Sequence, residues 1–219
     1  MKHTPFKLLV SALLMAGCAA QPGPYQITKF WSVNSCDAIG IPDQSVYTPA
    51  GTLDVGPGGP VTFLIGTTIT GSVAQEGITV NGTNLEPPNR NQGVVKQVVV
   101  DYKLSRSLGQ SPKQFVDPQT IPVQGATAAV VQLISPELSD LLINGLSASA
   151  DLSDTVDVIA TVEFRGEYSG DGHAFTTGTQ DFPIHVYKSG DGCGVPSGDA
   201  GVPSLGCLYF GQQYLPACP

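Results

Sequence analysis

The chain alternates apolar and polar residues with a period of two over its longest regular stretches. In residues 155–165 one parity is apolar throughout: Val156, Val158, Ala160, Val162 and Phe164. The other parity includes Asp157, Thr161, Glu163 and Arg165. Because successive side chains of a strand point to opposite faces, this stretch predicts a strand with one packed face and one solvated face, which is typical of an antiparallel sheet.

Two further stretches show the same alternation. Residues 94–104 predict a strand with one face formed by Val94, Val98, Val100, Tyr102 and Leu104, and the other by Val95, Gln97, Val99, Asp101 and Lys103. The glycine-rich residues 169–172 predict a hairpin turn into a strand over 173–187, with Phe182, Ile184 and Val186 apolar. Pro183 donates no amide hydrogen, so we expect it at a strand edge or a bulge.

The remaining elements are short. Further strands are predicted over residues 25–33, 52–55, 60–70, 78–81, 120–124 and 127–134. A single short helix is predicted after Ser135 as its N-cap and Pro136 as its first residue, with an apolar stripe of Leu138, Leu141 and Leu142, and it should end at Asn144-Gly145. The sequence therefore predicts an all-β fold, an antiparallel β-sandwich that is immunoglobulin-like in the broad sense, with a closed barrel as the alternative.

The first residues have the features of an export signal. Lys2 and Lys7 are basic, and residues 8–17 are almost entirely apolar. A helix that spans a bilayer needs about 20 apolar residues, so this run has the length of a signal-peptide core instead.

Residues 13–18, LLMAGC, resemble the lipobox of bacterial lipoproteins, although Met15 stands where leucine is usual. The resemblance implies cleavage after residues 1–17, a diacylglycerol on the Cys18 sulfur, an acylated amine and a lipidated tether over 18–24. Ala19, rather than aspartate, implies sorting to the outer membrane, and either leaflet remains open. The alternative is an ordinary secretory signal followed by an incidental cysteine.

Cysteine usage agrees with that resemblance. The chain has five cysteines, an odd number for an exported protein, and modification of Cys18 would leave four. Cys36, Cys193, Cys207 and Cys218 could form two disulfides with three possible pairings, of which we favour Cys207–Cys218 and Cys36–Cys193. The glycine-rich and proline-rich segment 188–219 would then be a tail tied by disulfides to a domain over 25–187. No C-x-x-C pair occurs, so a zinc site is not expected.

The ionisable residues predict little catalytic chemistry. His173 and His185 lie twelve residues apart on one predicted strand, which is too far for a shared metal unless the chain folds back, as it could at Gly178. No G-x-S-x-G or S-x-x-K motif occurs after residue 18, although spacing alone does not reveal a dispersed Ser/His/Asp triad. Glu163 and Glu167 are interpreted as solvent-facing acids.

A calcium site is a weaker alternative to ordinary turn chemistry. Asp171, Asp191 and Asp199 lie in glycine-rich loops, but the D-x-[DN]-x-[DN]-G pattern is absent. We therefore expect no cofactor, with calcium as the alternative.

The charge balance argues against nucleic acid as a partner. Removal of Lys2 and Lys7 would leave eight basic residues against eighteen acidic ones, and the basic residues are spread thinly. The body of the chain resembles uncharacterised bacterial envelope lipoproteins in three segments, SCDAIGIP around Cys36, DFPIHV and the Cys-rich end. This resemblance implies no activity. The sequence thus predicts a lipid-anchored outer-membrane protein with a non-enzymatic binding, adhesion or scaffolding role towards an envelope protein or glycan. The alternative is an envelope hydrolase or carbohydrate-active module.

Overall fold

The computed structural model describes ten stretches of the chain, and most of their residues lie in strands. The stretches are residues 24–33, 47–56, 61–71, 78–80, 83–85, 92–123, 125–148, 153–170, 172–189 and 212–213. This content confirms the predicted all-β class.

Eleven strands and one helix follow one another along these stretches. The strands are β1 (Tyr25–Trp31), β2 (Gly51–Asp54), β3 (Leu64–Gly71), β4 (Ile78–Val80), β5 (Thr83–Leu85), β6 (Gly93–Leu104), β7 (Phe115–Val123), β8 (Ala126–Gln132), β9 (Thr155–Tyr168), β10 (Ala174–Tyr187) and β11 (Gln212–Gln213). The helix, α1 (Pro136–Gly145), lies between β8 and β9.

The strands form two main sheets and one small hairpin. A six-stranded sheet has the order β11-β2-β10-β9-β6-β7, and a three-stranded sheet has the order β1-β3-β8. The larger sheet is curled like half of a barrel, and β4 pairs only with β5 among the described strands. All described pairs are antiparallel except β2 with β10, a parallel pair that the alternation of residues could not predict.

The apolar faces of both main sheets meet in one core. The ring centroids of Phe30 on β1 and Phe182 on β10 lie 5.2 Å apart at an edge-to-face angle, and Phe63, just before β3, lies 5.9 Å from Phe182. The predicted apolar face of β9 is confirmed, because each of its five residues is at most 1% exposed. The alternation that opened the sequence analysis is therefore the pattern of a strand covered on one side by a second layer.

The prediction for β6 was wrong at its first residues because the strand contains a β-bulge. Its register with β9 shifts between Val95 and Gln97, so Lys96 is an extra residue relative to β9. Val95 is consequently buried in the core, while Val94 is only half-buried. Beyond the bulge Val98 and Val100 are buried as predicted, because one inserted residue reverses the parity of the residues on one side of it.

A second bulge bends β10. Its register with β9 shifts between Thr176 and Thr179, and Gly178 between them has a φ of 73°, a left-handed conformation that favours glycine. Pro183 pairs with Ile159 on β9 and directly precedes the segment that pairs with β2, as expected for a residue without an amide hydrogen.

The helix α1 forms as predicted. The Ser135 side chain accepts a hydrogen bond from the Leu138 backbone N–H at 3.1 Å, and Pro136 begins the helix. Leu138 and Leu142 are buried, Leu141 is half-buried, and the helix ends at Gly145.

The two ends of the sheets differ in composition, and we name them separately. The tyrosine pole is formed by Tyr25, Gly71, Gly93, Gly125 and Tyr168: Tyr25 pairs with Gly71, whose N–H donates to Gly125 O at 2.8 Å, and Gly93 pairs with Tyr168. The Tyr25 ring lies 4.4 Å from the Phe175 ring and 5.8 Å from the Tyr168 ring. Burial raises the pKa of Tyr25. At this pole, aromatic packing joins the two sheets.

The helix pole lies at the opposite ends of the strands and is built around α1. The Val61 N–H donates to Ser139 Oγ at 2.9 Å, and the Lys188 ammonium donates to Ile143 O at 2.7 Å. The Ser135 N–H donates to the Tyr102 hydroxyl at 3.2 Å, and desolvation raises the pKa of Tyr102 to about 12. Polar contacts therefore connect the helix to the strand ends.

Two loops of the helix pole are joined by an ion pair between Arg106 and Asp154. The Ser147 backbone N–H donates to Asp154 Oδ2 at 2.7 Å, and this bond is the main reason why the pKa of Asp154 is lowered.

Candidate functional site

The outer face of the six-stranded sheet, which points away from the core, gathers ionisable side chains from three neighbouring strands. Its carboxylates are Asp101 on β6, Asp157, Glu163 and Glu167 on β9, and Asp181 on β10. Each of these acids is next in sequence to a buried residue, such as Val100, Val158 or Phe182, and successive residues of a strand point to opposite faces.

One close pair on the outer face joins His185 on β10 and Asp157 on β9. The register places these residues opposite each other on β10 and β9, and His185 Nδ1 lies 2.7 Å from Asp157 Oδ1. The side chains are 48% and 62% exposed, so water screens the pair. Thr52 on β2 lies opposite His185 on the other side, which gives an acid, an imidazole and a hydroxyl on three adjacent strands.

Two more carboxylates of the outer face accept hydrogen bonds from neutral side chains. Asp181 Oδ1 accepts from the Thr161 hydroxyl at 2.7 Å, and Asp101 Oδ1 accepts from the Gln114 amide at 2.8 Å. Thr161 pairs with both Asp181 and Asp101 in register, so the two acids flank one threonine. Neither carboxylate has a lysine or arginine partner among the contacts that the structure describes.

Glu163 and Glu167 do not form an acid pair. Arg165 lies between them on the same face, and its Nε is 2.6 Å from Glu163 Oε2. Four residues of a strand span about 14 Å, whereas the carboxyl groups of glycosidases lie about 5–10 Å apart. Glu167 is exposed, as a solvent-facing acid should be, whereas the Glu163 side chain is only 18% exposed.

One residue on the outer face is unexpectedly apolar and covered. Val99 is 1% exposed, although its neighbours Val98 and Val100 point into the core on the opposite side. In register it lies between Glu163 on β9 and Val116 on β7, and Val116 is 45% exposed. Val99 and Val116 thus form a small apolar spot beside the acids of the outer face.

The two histidines singled out from the sequence are separated as predicted. His173 lies just before β10 at the tyrosine pole, where its carbonyl accepts the Tyr168 N–H at 2.9 Å, while His185 lies near the other end of β10. The strand continues through the bulge at Gly178 without folding back, so the two rings lie at different ends of the sheet.

Other residues singled out from the sequence lie outside the described stretches. These are Cys18, Cys36, Cys193, Cys207 and Cys218, and the loop aspartates Asp171, Asp191 and Asp199. In the part of the chain that the structure does describe, no cluster of histidine, cysteine and acidic residues could hold a metal ion. Nor does any helix there have the length and apolarity to span a bilayer.

Sequence reasoning missed Asp54, a carboxylate at the end of β2 that is only 5% exposed. Its Oδ1 accepts the N–H groups of Gly56 at 2.8 Å and Ser189 at 3.0 Å. Asp54 therefore connects the end of β2 to Ser189, two residues after the end of β10. The only sequence signal was an aspartate two residues before a glycine, which is common in turns.

Comparisons with known protein families, with curated proteins and with solved structures found no match to this chain.

Proposed function

We propose that this chain is a lipid-anchored protein of the bacterial outer membrane. In this proposal its two sheets form an open β-sandwich that binds an envelope protein or glycan in a non-enzymatic adhesion or scaffolding role. The observation that carries the binding role is the exposed outer face of the six-stranded sheet, where acids from three strands lie on an open surface. A rigid sheet holds these groups in fixed positions, which is what repeated recognition of one partner requires.

The anchor is supported by the sequence LLMAGC and by its distance in the chain from the first strand that the structure describes. Cys18 precedes Tyr25, the first residue of β1, by seven positions, so a short tether would lead directly into the three-stranded sheet. Two or three acyl chains on one residue hold a protein at a bilayer far more firmly than a single chain. In the same proposal, the remaining cysteines form two disulfides that tie residues 188–219 to the body.

The anchor is tested by comparing the unaltered chain with Cys18→Ser. We expect the unaltered protein to sediment with membranes and to show an acylated residue 18 by mass spectrometry, while the variant becomes soluble. A mature chain that begins elsewhere with an unmodified thiol at position 18 would contradict the anchor.

Thiol titration of the purified protein before reduction should find no reactive cysteine, and two or more would contradict the disulfides.

The binding role is tested by photocrosslinking in cells. A benzophenone-bearing residue at Thr179, which is exposed on β10, should form a defined adduct after illumination. The same photoreactive residue at Ala148, which is exposed at the helix pole, is the control. A Thr179 adduct that disappears in an Asp181→Lys, Glu163→Lys background would support recognition by the outer face, whereas identical adduct patterns at both positions would contradict it.

The geometry of His185 favours a second candidate, an envelope hydrolase. Asp157 at 2.7 Å could orient the imidazole, and Thr52 in register could supply a nucleophile. This candidate predicts hydrolysis of a model ester that is lost in His185→Gln and retained in Asp181→Asn. Equal rates in all three proteins would eliminate it.

A further inference from the structure

We infer that one corner of the tyrosine pole rests against the lipid headgroups, which leaves the outer face accessible to a partner. The uncharged corner, as we name it, consists of the exposed residues Thr120, Pro122, Gly125, Ala126 and Ala128 around the connection between β7 and β8. This inference rests on the proposed lipid anchor and goes beyond it, because it specifies which surface meets the membrane.

The first argument is the length of the tether and the place where it reaches the body. Residues 18–24 can extend at most about 3.6 Å each, or about 25 Å in total. They join β1 at Tyr25, which pairs with Gly71, and Gly71 in turn donates to Gly125. Because neighbouring strands lie about 4.8 Å apart, the tether meets the body about 10 Å from the uncharged corner.

The helix pole lies much farther from this attachment point. β9 has 14 residues and runs from the helix pole to the tyrosine pole. At about 3.4 Å per residue, such a strand is about 45–50 Å long. A tether of at most about 25 Å therefore confines the tyrosine pole, and not the helix pole, to the neighbourhood of the bilayer.

The second argument is charge. No charged residue occurs in the sequence from Pro118 to Pro136, and the exposed residues of the uncharged corner are small or contain only hydroxyl or backbone polar groups. Carboxylates near an anionic bilayer are repelled and lose hydration. The outer face, with Asp101, Asp157 and Asp181, is therefore the less favourable surface to turn towards lipid.

Charge also sets the direction of tilt within the tyrosine pole. Glu167 and His173 lie beside the turn between β9 and β10, two strands away from Pro122, whereas Ala126 and Ala128 of the uncharged corner lie on β8 of the three-stranded sheet. The same side receives the tether. If this side tilts towards the headgroups, Glu167 stays in water and the tether still reaches the bilayer.

The experiment uses the full acylated chain in vesicles of phosphatidylethanolamine and phosphatidylglycerol that contain a doxyl-labelled lipid as quencher. One fluorescent dye is attached through a clickable unnatural residue at position 126, at position 179 or at position 148. We expect the dye at position 126 to be quenched most, and the dye at position 148 least. Equal quenching at the three positions, or the strongest quenching at 148, would overturn the inference.

A charge variant tests the electrostatic argument separately. With the dye at position 126, Ala128→Glu should lower the headgroup-bound population about fivefold, because one charge near an anionic surface has an effect of that size. Thr179→Glu is the matched control and should leave the quenching unchanged, and the reverse pattern would overturn the inference.

Mass spectrometry and vesicle sedimentation are recorded on each sample. An unacylated chain in the soluble fraction would refute the anchor itself, whereas an acylated, sedimenting chain with the wrong quenching order would refute only the orientation.

Discussion

The tyrosine pole and the helix pole hold the same two sheets together by different interactions. At the tyrosine pole the rings of Tyr25, Tyr168 and Phe175 pack within 6 Å of one another, as measured between centroids. At the helix pole the connections are directional hydrogen bonds to Ser139 and Tyr102. Aromatic packing depends on area and shape, whereas buried hydrogen bonds depend on one atom each.

The close packing of the tyrosine pole depends on the absence of side chains at three glycines. A Cβ atom at Gly71 or Gly93 would lie 2.7 Å from the Tyr25 ring, and one at Gly166 would lie 2.6 Å from the Phe175 ring. Contacts this short require the rings to move. The difference between the poles therefore predicts that the tyrosine pole is sensitive to volume and the helix pole to the loss of single polar atoms.

The largest expected effect is the loss of ring volume at the tyrosine pole. Phe175 is 6% exposed and packs between Tyr25 and Tyr168. Phe175→Ala should lower the free energy of unfolding by about 3–5 kcal/mol, as measured by urea denaturation, because it opens a cavity in a packed core. Val116→Ala removes an exposed side chain and should change stability by less than about 0.5 kcal/mol. Similar losses in both variants would contradict the contribution of ring packing.

Alkaline pH should weaken the helix pole through Tyr102. The folded pKa is raised to about 12 from 10.0, so the unfolded chain ionises first, and stability is lost as the pH rises from 10 to 12. A difference of about two pKa units corresponds to about 2–3 kcal/mol. Tyr102→Phe lacks this group and should lose correspondingly less stability between pH 9 and pH 12, although it begins lower because the Ser135 N–H loses its acceptor.

A comparison of the two poles sharpens that measurement. Tyr25 also has a raised pKa, again chiefly because of burial. Tyr25→Phe should therefore also lose less stability at alkaline pH than the unaltered chain. Urea denaturation at several pH values gives both slopes. Parallel pH profiles for the unaltered chain and Tyr102→Phe would contradict the assignment.

The next effect concerns one hydroxyl at the helix pole. Ser139 is fully buried and accepts the Val61 N–H at 2.9 Å. Ser139→Ala should cost about 2 kcal/mol because a buried donor loses its acceptor. Ser111→Ala, at an exposed position in the connection between β6 and β7 at the same pole, is the control and should be nearly neutral. A neutral Ser139→Ala would show that water replaces the hydroxyl.

The sequence predicted those parts of the fold that depend on local chemistry. The alternation in β9 and the capped helix after Ser135 are set by neighbouring residues, so they could be predicted from a single sequence. The bulge at Lys96 could not, because it arises from the pairing of β6 with β9 and leaves no distinctive residue in the strand. The parallel pairing of β2 with β10 likewise joins residues far apart in the chain.

The same limit applies to the candidate site. The acids and His185 were visible as alternating polar residues, but the pairing of Asp157 with His185 follows only from the register of β9 and β10. Strand parity is a local property and correctly placed Glu163 and Glu167 on one face, although the Glu163 side chain is only 18% exposed. Asp54 was missed because its burial depends on β10 and on Ser189, which lies 135 residues away.

The smallest expected effect is the loss of the contact between His185 and Asp157 on the outer face. His185 and Asp157 are about half exposed, and such pairs contribute about 0–1 kcal/mol. His185→Gln and Asp157→Asn should each lower stability by less than about 1 kcal/mol, and a double-mutant cycle should give a coupling that is no larger. Thr161→Ala is the comparison variant: it removes an uncharged side chain of the same face, four residues along β9 from Asp157. A coupling above about 2 kcal/mol would mean that the outer face, like the two poles, serves to hold the fold together. A coupling near zero would mean that substitutions on this face report on recognition rather than on folding, which is the condition under which the crosslinking and hydrolysis experiments can be interpreted.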